Sequence, residues 1–555
     1  MKLKRFSILV FIFLSTIVSG KNVVGYYYAN YSAYPHTAID YDKITHIAHA
    51  FIYPTAAGEI QTDSWFFYPD LITEAHNNGI KIIAAIGGWG NSGGFSPMAA
   101  DPTSRAAFVQ NLVNFCLTHG YDGVDLDWEY PNSSDRANLV TLVQELRTAF
   151  DANNIEIISA AVPSSDWNDG YDIPNLIDNM NWLAIMTYDF TGPWEAKTGN
   201  NSPLYKNPSQ WGSVDNSVTY YMNKGLPKEK LLIGMPFYGY SFNAAGPFLN
   251  HSGASSISYT SANSKLSQGY EYHWDEISKV PYLQDAAHTK YISYDDTNSI
   301  KLKCEYIHQK ELGGTIIWKL GFDYSNGSVP LLETVDKYIH NLPAAAPVVP
   351  VLSYPSNNTI VDSIGLRFLW SPVDWATSYS IQISNDENFN NIIINKPKIS
   401  MPYLDVNGLP MDTVYYWKVR ASNMTGTSEW TDTWSFSIPS LTSVDDKIIT
   451  TDDFNLFNNY PNPFNPETTI TYTIPNYTGA NYFIVQLKIY DLLGKEVAQI
   501  VNKEQSPGTY KVVWNAESVS RRISSGTYFY QLSAVDKSNS KDRSFIQTKK
   551  MNLLK

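Results

Sequence analysis

The chain has 555 residues, enough for several domains, and its apolar content of 43% is normal for soluble globular protein with a sizeable core. Forty basic residues against 53 acidic ones give a net charge of −13 at pH 7. Because no basic patch is present to grip a phosphate backbone, this composition argues against nucleic acid as a partner. A neutral polymer such as a polysaccharide is compatible with the charge.

The N-terminus has the pattern of a secretory signal. A basic start, Met1–Arg5, precedes an apolar run from Phe6 to Val18 and the small residues Ser19 and Gly20. The run is shorter than the roughly 20 residues that span a bilayer, and a membrane anchor is the alternative. We expect residues 1–20 to be a signal peptide, and no later segment is long and apolar enough to form a transmembrane segment.

From residue 21 to about residue 342, apolar strand-like runs alternate with helical patterns. The helical patterns include Thr103–Leu117, Asp135–Ala152 and Ser299–Lys310. The predicted strands are Val23–Tyr27, His46–Tyr53, Lys81–Ile86, Gly123–Asp127, Ile157–Val162, Trp182–Thr187, Leu231–Pro236 and Gly314–Trp318. This count and length predict an α/β fold, a (β/α)₈ TIM barrel, in which chemistry takes place at the C-terminal ends of the strands.

The fourth predicted strand carries a row of carboxylates. Asp125, Asp127 and Glu129 are spaced by two, so their side chains share one face of an extended strand, about 7 Å apart. Adjacent carboxylates in a low dielectric cost several kcal/mol unless they share protons or meet a ligand, so we interpret the row as functional. A solvated acidic face and a calcium loop are the alternatives; the intervening residues are apolar, and a calcium loop needs glycines at other offsets.

The cysteines are Cys116 and Cys304. Both fall on helical patterns that are not neighbours, which favours buried thiols over a disulfide, although export would permit one.

The stretch between the seventh and eighth predicted strands, about residues 241–296, is unusually long and rich in Gly, Ser, Tyr and Asn. Loops of this length usually carry function or form a small inserted subdomain.

The composition changes at Leu342, where residues 343–350 have the pattern of a semi-stiff linker. Alternating segments then predict a β-sandwich over residues 351–438. These segments are Leu366–Trp370, Ser378–Ser384, Tyr415–Ala421 and Thr433–Ile438. Leu409, Thr413 and Tyr415 resemble the tyrosine-corner region of a fibronectin type III domain.

A polar linker, residues 439–454, leads to a second all-β region, residues 455–555. The segments Asn459–Pro466, Ile489–Gly494 and Ser525–Tyr530 resemble the C-terminal sorting domain of the bacterial type IX secretion system. The resemblance implies recognition by that secretion machinery, passage across the outer membrane, and then release or attachment to the outer cell surface. An ordinary β-sandwich spacer is the alternative.

Asp122, Asp125, Asp127 and Glu129 form an Asp-x-x-Asp-x-Asp-x-Glu pattern that resembles the signature of glycoside hydrolase family 18, the chitinases. Six further segments resemble the same family: Gly25–Tyr27, Ile86–Trp89, Met186–Asp189, Gly234–Gly239, Tyr291–Asp296 and Gly313–Trp318. The resemblance covers about residues 23–339 and implies a small α+β insertion between strands seven and eight.

Two positions depart from the family pattern. Ala85 stands where the third-strand motif usually has Ser, which removes a hydroxyl that could support Asp125. Tyr240 stands where the seventh-strand motif often has Arg, which puts a guanidinium contact to sugar in doubt.

The resemblance implies a retaining mechanism assisted by the substrate, in which the acetamido oxygen attacks its own anomeric carbon. Glu129 is then the general acid and later the base, and Asp127 meets the acetamido N–H. Asp125 shares a proton with Asp127, and Tyr188 donates its hydroxyl to the acetamido oxygen. The expected substrate-binding residues are Trp318, Asp189, Met186, Trp89, Tyr238 and Tyr27. Asp122 is interpreted as structural.

The leading hypothesis is an exported, monomeric chitinase that hydrolyses β-1,4-linked N-acetylglucosamine polymers without metal or cofactor. The rival activity within the family is an endo-β-N-acetylglucosaminidase acting on glycoproteins. A chitin-binding lectin on the same fold and a surface adhesin are the non-enzymatic alternatives. The intact Glu129 argues against the lectin, and the complete acidic row argues against the adhesin.

Overall fold

The computed structural model describes ten segments of the chain: residues 20–28, 33–341, 343–361, 365–439, 454–474, 483–491, 495–505, 508–516, 524–536 and 544–553. The predicted signal peptide therefore lies outside the described residues, except for Gly20. The chain divides into two compact units, residues 1–439 and 440–555. In the described part, no helix is long and apolar enough to cross a bilayer.

The first unit begins with a closed parallel barrel. Its region contains the strands β1 (Asn22–Tyr28), β2 (His46–Pro54), β3 (Ile60–Thr62), β4 (Lys81–Gly87), β5 (Gly123–Asp127), β6 (Ile157–Val162), β7 (Trp182–Ile185), β8 (Leu231–Pro236), β9 (Tyr238–Asn243), β10 (Ala254–Ser258), β11 (Glu271–Asp275), β12 (Val280–Gln284), β13 (Lys290–Ser293) and β14 (Gly314–Trp318). The parallel order is β1-β14-β8-β7-β6-β5-β4-β2, and β2 pairs back with β1. The predicted TIM barrel is confirmed, with every barrel strand within two residues of its expected bounds.

Helices cover the outside of the barrel. The helices of this region are α1 (Pro69–Asn77), α2 (Phe95–Ala100), α3 (Pro102–His119), α4 (Arg136–Ala152), α5 (Ile173–Ile177), α6 (Val214–Asn223), α8 (Thr297–Gln309) and α9 (Pro330–Ile339), together with α7 (Tyr259–Asn263), which belongs to the insertion. Local signals set the ends of α3: the Asp101 side chain accepts a hydrogen bond from the Ser104 N–H, and Gly120 ends the helix at φ 81°. Cys116 and Cys304, on α3 and α8, are buried free thiols, as predicted.

Two apolar layers hold the barrel together. The larger layer fills the space between strands and helices, with Val124, Leu126 and Trp128 of the acidic strand in it. The smaller layer fills the barrel interior and includes small side chains, among them Ala48 and Ala85. A close-packed interior has few voids, so large polar side chains need small neighbours. These alanines leave that space in the barrel interior.

The predicted insertion is confirmed as a five-stranded antiparallel sheet of order β10-β9-β13-β12-β11, with α7 beside it. A single residue, Phe237, separates β9 of the insertion from β8. Strand β9 therefore continues the wall of the barrel at the C-terminal ends of the parallel strands.

The rest of the first unit is all-β, as expected. Its strands are β15 (Leu352–Tyr354), β16 (Thr359–Ile360), β17 (Gly365–Trp370), β18 (Ser378–Ser384), β19 (Ile392–Ile399), β20 (Tyr403–Asn407), β21 (Thr413–Asn423), β22 (Gly426–Thr427) and β23 (Trp434–Ile438). They form a three-stranded and a six-stranded sheet around one core. The Tyr415 hydroxyl donates to the Pro410 carbonyl at 2.7 Å, the contact expected of a tyrosine corner. The fibronectin type III assignment and the domain boundaries stay predictions.

The second unit is also all-β. Its strands are β24 (Asn455–Leu456), β25 (Glu467–Ile474), β26 (Phe483–Tyr490), β27 (Glu496–Gln505), β28 (Gly508–Asn515), β29 (Gly526–Asp536) and β30 (Ser544–Leu553). A three-stranded and a four-stranded sheet enclose a core of their own.

Candidate active site

The acidic strand β5 delivers its carboxylates to the barrel interior. Asp125 and Asp127 are buried, and Glu129 lies half-buried just past the end of the strand. Backbone contacts fix this strand end, since the Gly88 N–H donates to the Asp127 carbonyl at 2.8 Å and the Glu129 N–H donates to Ser92 Oγ at 2.9 Å. Glu129 therefore sits on a loop that is tied to the neighbouring strand.

Both oxygens of Asp125 accept a hydrogen bond. Ser159 Oγ donates to Oδ1 at 2.5 Å, and the Tyr26 hydroxyl donates to Oδ2. Burial raises the pKa of Asp125, and these two hydrogen bonds oppose the rise. Ala85 lies directly opposite Asp125 in the sheet, so the hydroxyl missing there is replaced by donors from β1 and β6. The expected sharing of a proton between Asp125 and Asp127 stays a prediction.

Asp127 has an unused acceptor. Its Oδ1 is buried and has no hydrogen-bond partner among the described residues. Burial, and then the negative charges of Glu129 and Asp125, raise the pKa of Asp127 well above its ordinary value. A buried polar atom without a partner costs free energy unless a ligand satisfies it, which makes this oxygen a candidate ligand contact.

Burial is also the main reason that the pKa of Glu129 is raised to about 7. A hydrogen bond from Tyr130 opposes the rise, and the charge of Asp189 adds to it. A large fraction of Glu129 is thus protonated near neutral pH, the state that a general acid needs.

A tyrosine cluster holds Asp189. The hydroxyls of Tyr238 and Tyr240 donate to Asp189 Oδ1 at 2.5 and 2.9 Å, and the Asp189 N–H donates to Asn201 Oδ1 at 3.1 Å. Asp189 has a φ of 60°, a left-handed conformation that non-glycine residues rarely adopt and that clusters at functional sites. Tyr240, where the family pattern suggested Arg, therefore anchors a carboxylate.

Tyr188 depends on a glycine of the next strand. A Cβ on Gly234 would lie 2.6 Å from the Tyr188 ring and 2.9 Å from the Ile185 carbonyl. Burial, and then the charges of Asp127 and Asp189, raise the pKa of Tyr188 well above its ordinary value, so its hydroxyl keeps the proton that it can donate.

These side chains open into one cavity of about 780 Å³, at the upper end of the range for small-molecule sites. Trp318 forms part of its wall. The Phe51 ring stacks on the Trp318 ring at a centroid separation of 5.9 Å, and the Tyr28 ring lies tilted to it at 6.2 Å. The cavity is lined by Tyr28, Phe51, Trp89, Asn91, Asp127, Glu129, Tyr130, Pro163, Ser164, Trp167, Met186, Tyr188, Asp189, Trp194, Trp211, Tyr238, Tyr240 and Trp318.

The structure brings together most of the residues selected from the sequence. The cavity is lined by three of the predicted catalytic residues, Asp127, Glu129 and Tyr188. It is also lined by all but one of the predicted substrate-binding residues: Trp318, Asp189, Met186, Trp89 and Tyr238. Asp125 lies beneath them in the barrel interior.

The prediction for Tyr27 is wrong. Its side chain is buried in the layer between strands and helices, and its hydroxyl donates to the Tyr34 carbonyl at 2.7 Å. Successive side chains of a strand point to opposite faces, so Tyr26 and Tyr28 face the interior and the cavity instead. Sequence reasoning missed both, together with Ser159, Tyr130, Trp167, Trp194 and Trp211.

Asp122 lies at the other end of β5, at the bottom of the barrel. Its carboxylate accepts hydrogen bonds from the Ile82 N–H at 2.8 Å, His76 Nε2 at 2.9 Å and Lys81 Nζ at 3.0 Å. This placement fits its structural interpretation, because residues at the N-terminal face of a barrel serve stability.

Residues 22–323 match the model of the glycosyl hydrolases family 18, and residues 458–547 match the secretion system C-terminal sorting domain. The latter indicates export, followed by attachment to the cell surface or release.

The chain is similar to proteins named as chitinases. It is 35% identical over 295 residues to a probable endochitinase of Caenorhabditis elegans, covering 46% of this chain and 48% of that protein. It is 32% identical over 371 residues to chitotriosidase-1 of Mus musculus, covering 58% and 79%. The Group IV chitinase of Ostrinia furnacalis in complex with allosamidin is 28% identical, with a TM-score of 0.53 and coverage of 58% of this chain and 99% of that chain. The chain thus spans about half the length of the nematode relative. Because the family model matches more than half of the chain, the chain belongs to the glycosyl hydrolases family 18.

Proposed function

We propose that the protein is an exported chitinase that hydrolyses β-1,4-linked N-acetylglucosamine polymers with retention of configuration. The observation that carries the proposal is a pair of neighbouring groups in one cavity. Glu129 has a pKa of about 7 and can give up a proton, and Asp127 has a buried Oδ1 without a partner among the described residues. The names of the relatives agree with this substrate.

In the first step, Glu129 donates its proton to the glycosidic oxygen as the bond to the anomeric carbon breaks. The acetamido oxygen of the same sugar attacks the anomeric carbon and forms a ring that carries the positive charge. No covalent bond to the protein is needed, so the protein supplies a proton, orientation and charge stabilisation.

Two side chains orient the acetamido group. Asp127 Oδ1 accepts the acetamido N–H, which satisfies the buried acceptor and places a negative charge beside the positive ring. The Tyr188 hydroxyl donates to the acetamido oxygen and holds it near the anomeric carbon. The Trp318 ring supplies an apolar floor for the reacting sugar.

In the second step, the ionised Glu129 takes a proton from water, and the hydroxide adds to the anomeric carbon from the side that the leaving group left. The acetamido group is released unchanged, and Glu129 is protonated again. Two displacements at one carbon give net retention.

The test offers chitin oligosaccharides and a high-mannose glycopeptide to the wild type and to Glu129→Gln. We expect cleavage of the chitin oligosaccharides alone, β-anomeric products in an immediate proton NMR spectrum, and a loss of 10²–10⁴-fold in kcat, on the order of a general-acid contribution, in the variant. Cleavage of the glycopeptide would identify the rival N-acetylglucosaminidase activity. Binding without cleavage would identify a lectin.

A further inference from the structure

Exposed tryptophans concentrate in the cavity. Trp89 is 82% exposed, Trp167 and Trp194 are each 58% exposed, and Trp211 is 52% exposed. Single exposed apolar residues are normal on a protein surface, but four of the largest side chains around one cavity mark a binding surface.

These tryptophans occupy one half of the barrel rim. They follow β4 and β6, which flank the acid-bearing β5, and β7, which lies beyond β6. The rings of Trp318, Phe51 and Tyr28 pack together and lie on β14, β2 and β1, on the opposite half. If the reacting sugar lies on Trp318, the leaving group that Glu129 protonates extends toward the exposed tryptophans.

Trp211 is held by a loop that is built to present it. The buried Gln210 donates from Nε2 to the Asn200 carbonyl at 2.6 Å and to Thr191 Oγ1 at 3.3 Å, and its Oε1 accepts from the Asn200 N–H at 3.1 Å. Asn207 Nδ2 donates to Asp275 Oδ2 at 3.2 Å, which ties the same loop to the insertion.

The Trp211 ring is also supported by a buried aromatic side chain. Phe190, the residue after Asp189, packs against it at a ring separation of 5.2 Å. Gly212 permits this approach, because a Cβ there would lie 2.7 Å from the Phe190 ring. An exposed ring that is already fixed loses little conformational entropy when a ligand stacks on it.

We infer that Trp211 is a sugar-stacking residue on the leaving-group side of the cleft, which gives the enzyme a preference for long chains over short ones. The inference rests on the proposed function. Trp167 packs edge-on against Tyr130 at 5.0 Å, directly beside the acid, and Trp194 packs against Tyr240 at 5.7 Å. Trp211 contacts the Phe190 ring rather than a side chain that hydrogen-bonds to Glu129 or Asp189, so we place it farther along the leaving-group side, beyond a short leaving group.

The test measures binding and cleavage of N-acetylglucosamine oligomers from two to six units. Binding is measured by calorimetry in the Glu129→Gln background, with and without Trp211→Ala. We expect Trp211→Ala to weaken binding of the hexamer on the order of tenfold, with an effect that grows with length, and Trp211→Phe to restore most of it. Phe67→Ala, an exposed aromatic residue outside the cavity, is the matched control and should show no length dependence.

The kinetic counterpart is KM for each length in the otherwise unmodified enzyme. A rise in KM that increases with length, at similar kcat and melting temperature, supports a distal stacking site. An effect of Trp211→Ala that is equal at all lengths, or absent at all lengths, overturns the inference while leaving the chitinase proposal in place. Failure of the wild type to bind or cleave any oligomer overturns both.

Discussion

At the scale of single residues, the site separates three carboxylates by their surroundings. Asp125 has a donor on each oxygen, Asp127 has a buried oxygen without a partner among the described residues, and Glu129 faces the cavity with a pKa of about 7. Different roles for adjacent carboxyl groups follow from such differences in burial and hydrogen bonding.

Asp189 contributes to the pKa of Glu129 through its charge. Replacing it by asparagine removes a negative charge that disfavours ionised Glu129, so the pKa of Glu129 falls. Because the first step needs protonated Glu129, activity is lost as pH rises through this pKa, which is about 7 in the wild type. We expect Asp189→Asn to move the alkaline limb of the kcat/KM profile to lower pH.

The matched control for this experiment is Tyr240→Phe, which removes one hydrogen bond to Asp189 and keeps the charge. For Asp189→Asn we expect the alkaline limb of the kcat/KM profile at lower pH. For Tyr240→Phe we expect no such shift. An alkaline limb of Asp189→Asn at the wild-type position would show that the charge of Asp189 does not reach the acid.

The spacing of Asp125, Asp127 and Glu129 was enough to predict a shared face, because two of them lie on β5 and Glu129 follows two residues after its end. Their partners come from other strands, Tyr26 from β1 and Ser159 from β6, and sequence does not give the register between strands. The error at Tyr27 has a related cause. Strand β1 is buried on both faces, so no polar alternation indicates which tyrosines face the interior.

At the scale of elements, the strand β5 serves two functions at its two ends. Its C-terminal end leads to Glu129, the proposed acid, and Asp122 before its N-terminal end ties β5 to β4 through the Ile82 N–H and Lys81. One eight-residue motif thus combines the proposed general acid with a stabilising contact, and its first aspartate belongs to the stabilising end.

Asp122→Asn should destabilise the fold without altering the chemistry. Burial opposes ionisation of Asp122, but the hydrogen bonds from Ile82, His76 and Lys81 outweigh it, and its pKa is lowered. A carboxylate with a lowered pKa stabilises the folded state above its ordinary pKa, and this contribution disappears as pH falls through the folded value. We expect a loss of about 1–3 kcal/mol at pH 7, seen as a Tm several degrees lower, and a smaller difference at pH 3.

In this variant, kcat/KM at a temperature below the transition should equal that of the wild type. A large loss of kcat with an unchanged Tm would assign Asp122 to the chemistry rather than to the barrel.

The contact between β8 and the end of β7 provides a second element-scale prediction. Gly234→Ala places a Cβ against the Tyr188 ring and the Ile185 carbonyl, and a carbonyl in a packed barrel strand cannot yield as a flexible side chain does. We expect displacement of Tyr188 and a loss of kcat on the order of 10²-fold, since small misplacements of an orienting group are costly.

Gly93→Ala is the control, because that glycine lies in open space on an exposed loop. Gly93→Ala should retain wild-type kcat. If Gly234→Ala retained it as well, the orienting role of Tyr188 would lose its support.

At the scale of the whole molecule, the first unit joins the barrel to a β-sandwich, and the sequence predicted both but not their contact. Residues 343–350 have the composition of a spacer, yet the barrel and the sandwich form one compact unit. The contact depends on side chains that are distant in sequence. The Ser400 N–H donates to Glu276 Oε1 at 3.2 Å, and Lys279 Nζ donates to the Lys398 carbonyl at 3.3 Å.

A second part of this contact lies on α9. Trp375 of the sandwich packs edge-on against Tyr338 at 4.9 Å, the Lys337 ammonium lies 5.1 Å from the Trp375 ring centre, and Lys337 also pairs with Asp374. Aromatic anchors of this kind carry most of the energy of an interface, whereas exposed ion pairs contribute little.

We therefore expect Trp375→Ala to lower the Tm of the barrel by several degrees, through the loss of about 1–3 kcal/mol of support from the sandwich, and Asp374→Asn to lower it by much less. Ile360→Ala, at an exposed position of the sandwich, should leave the Tm at the wild-type value. Scanning calorimetry of the full chain, with tryptophan fluorescence as a second probe, measures these shifts. Equal Tm values for Trp375→Ala and the wild type would mean that the sandwich rests on the barrel without stabilising it, and that residues 343–350 act as a true spacer.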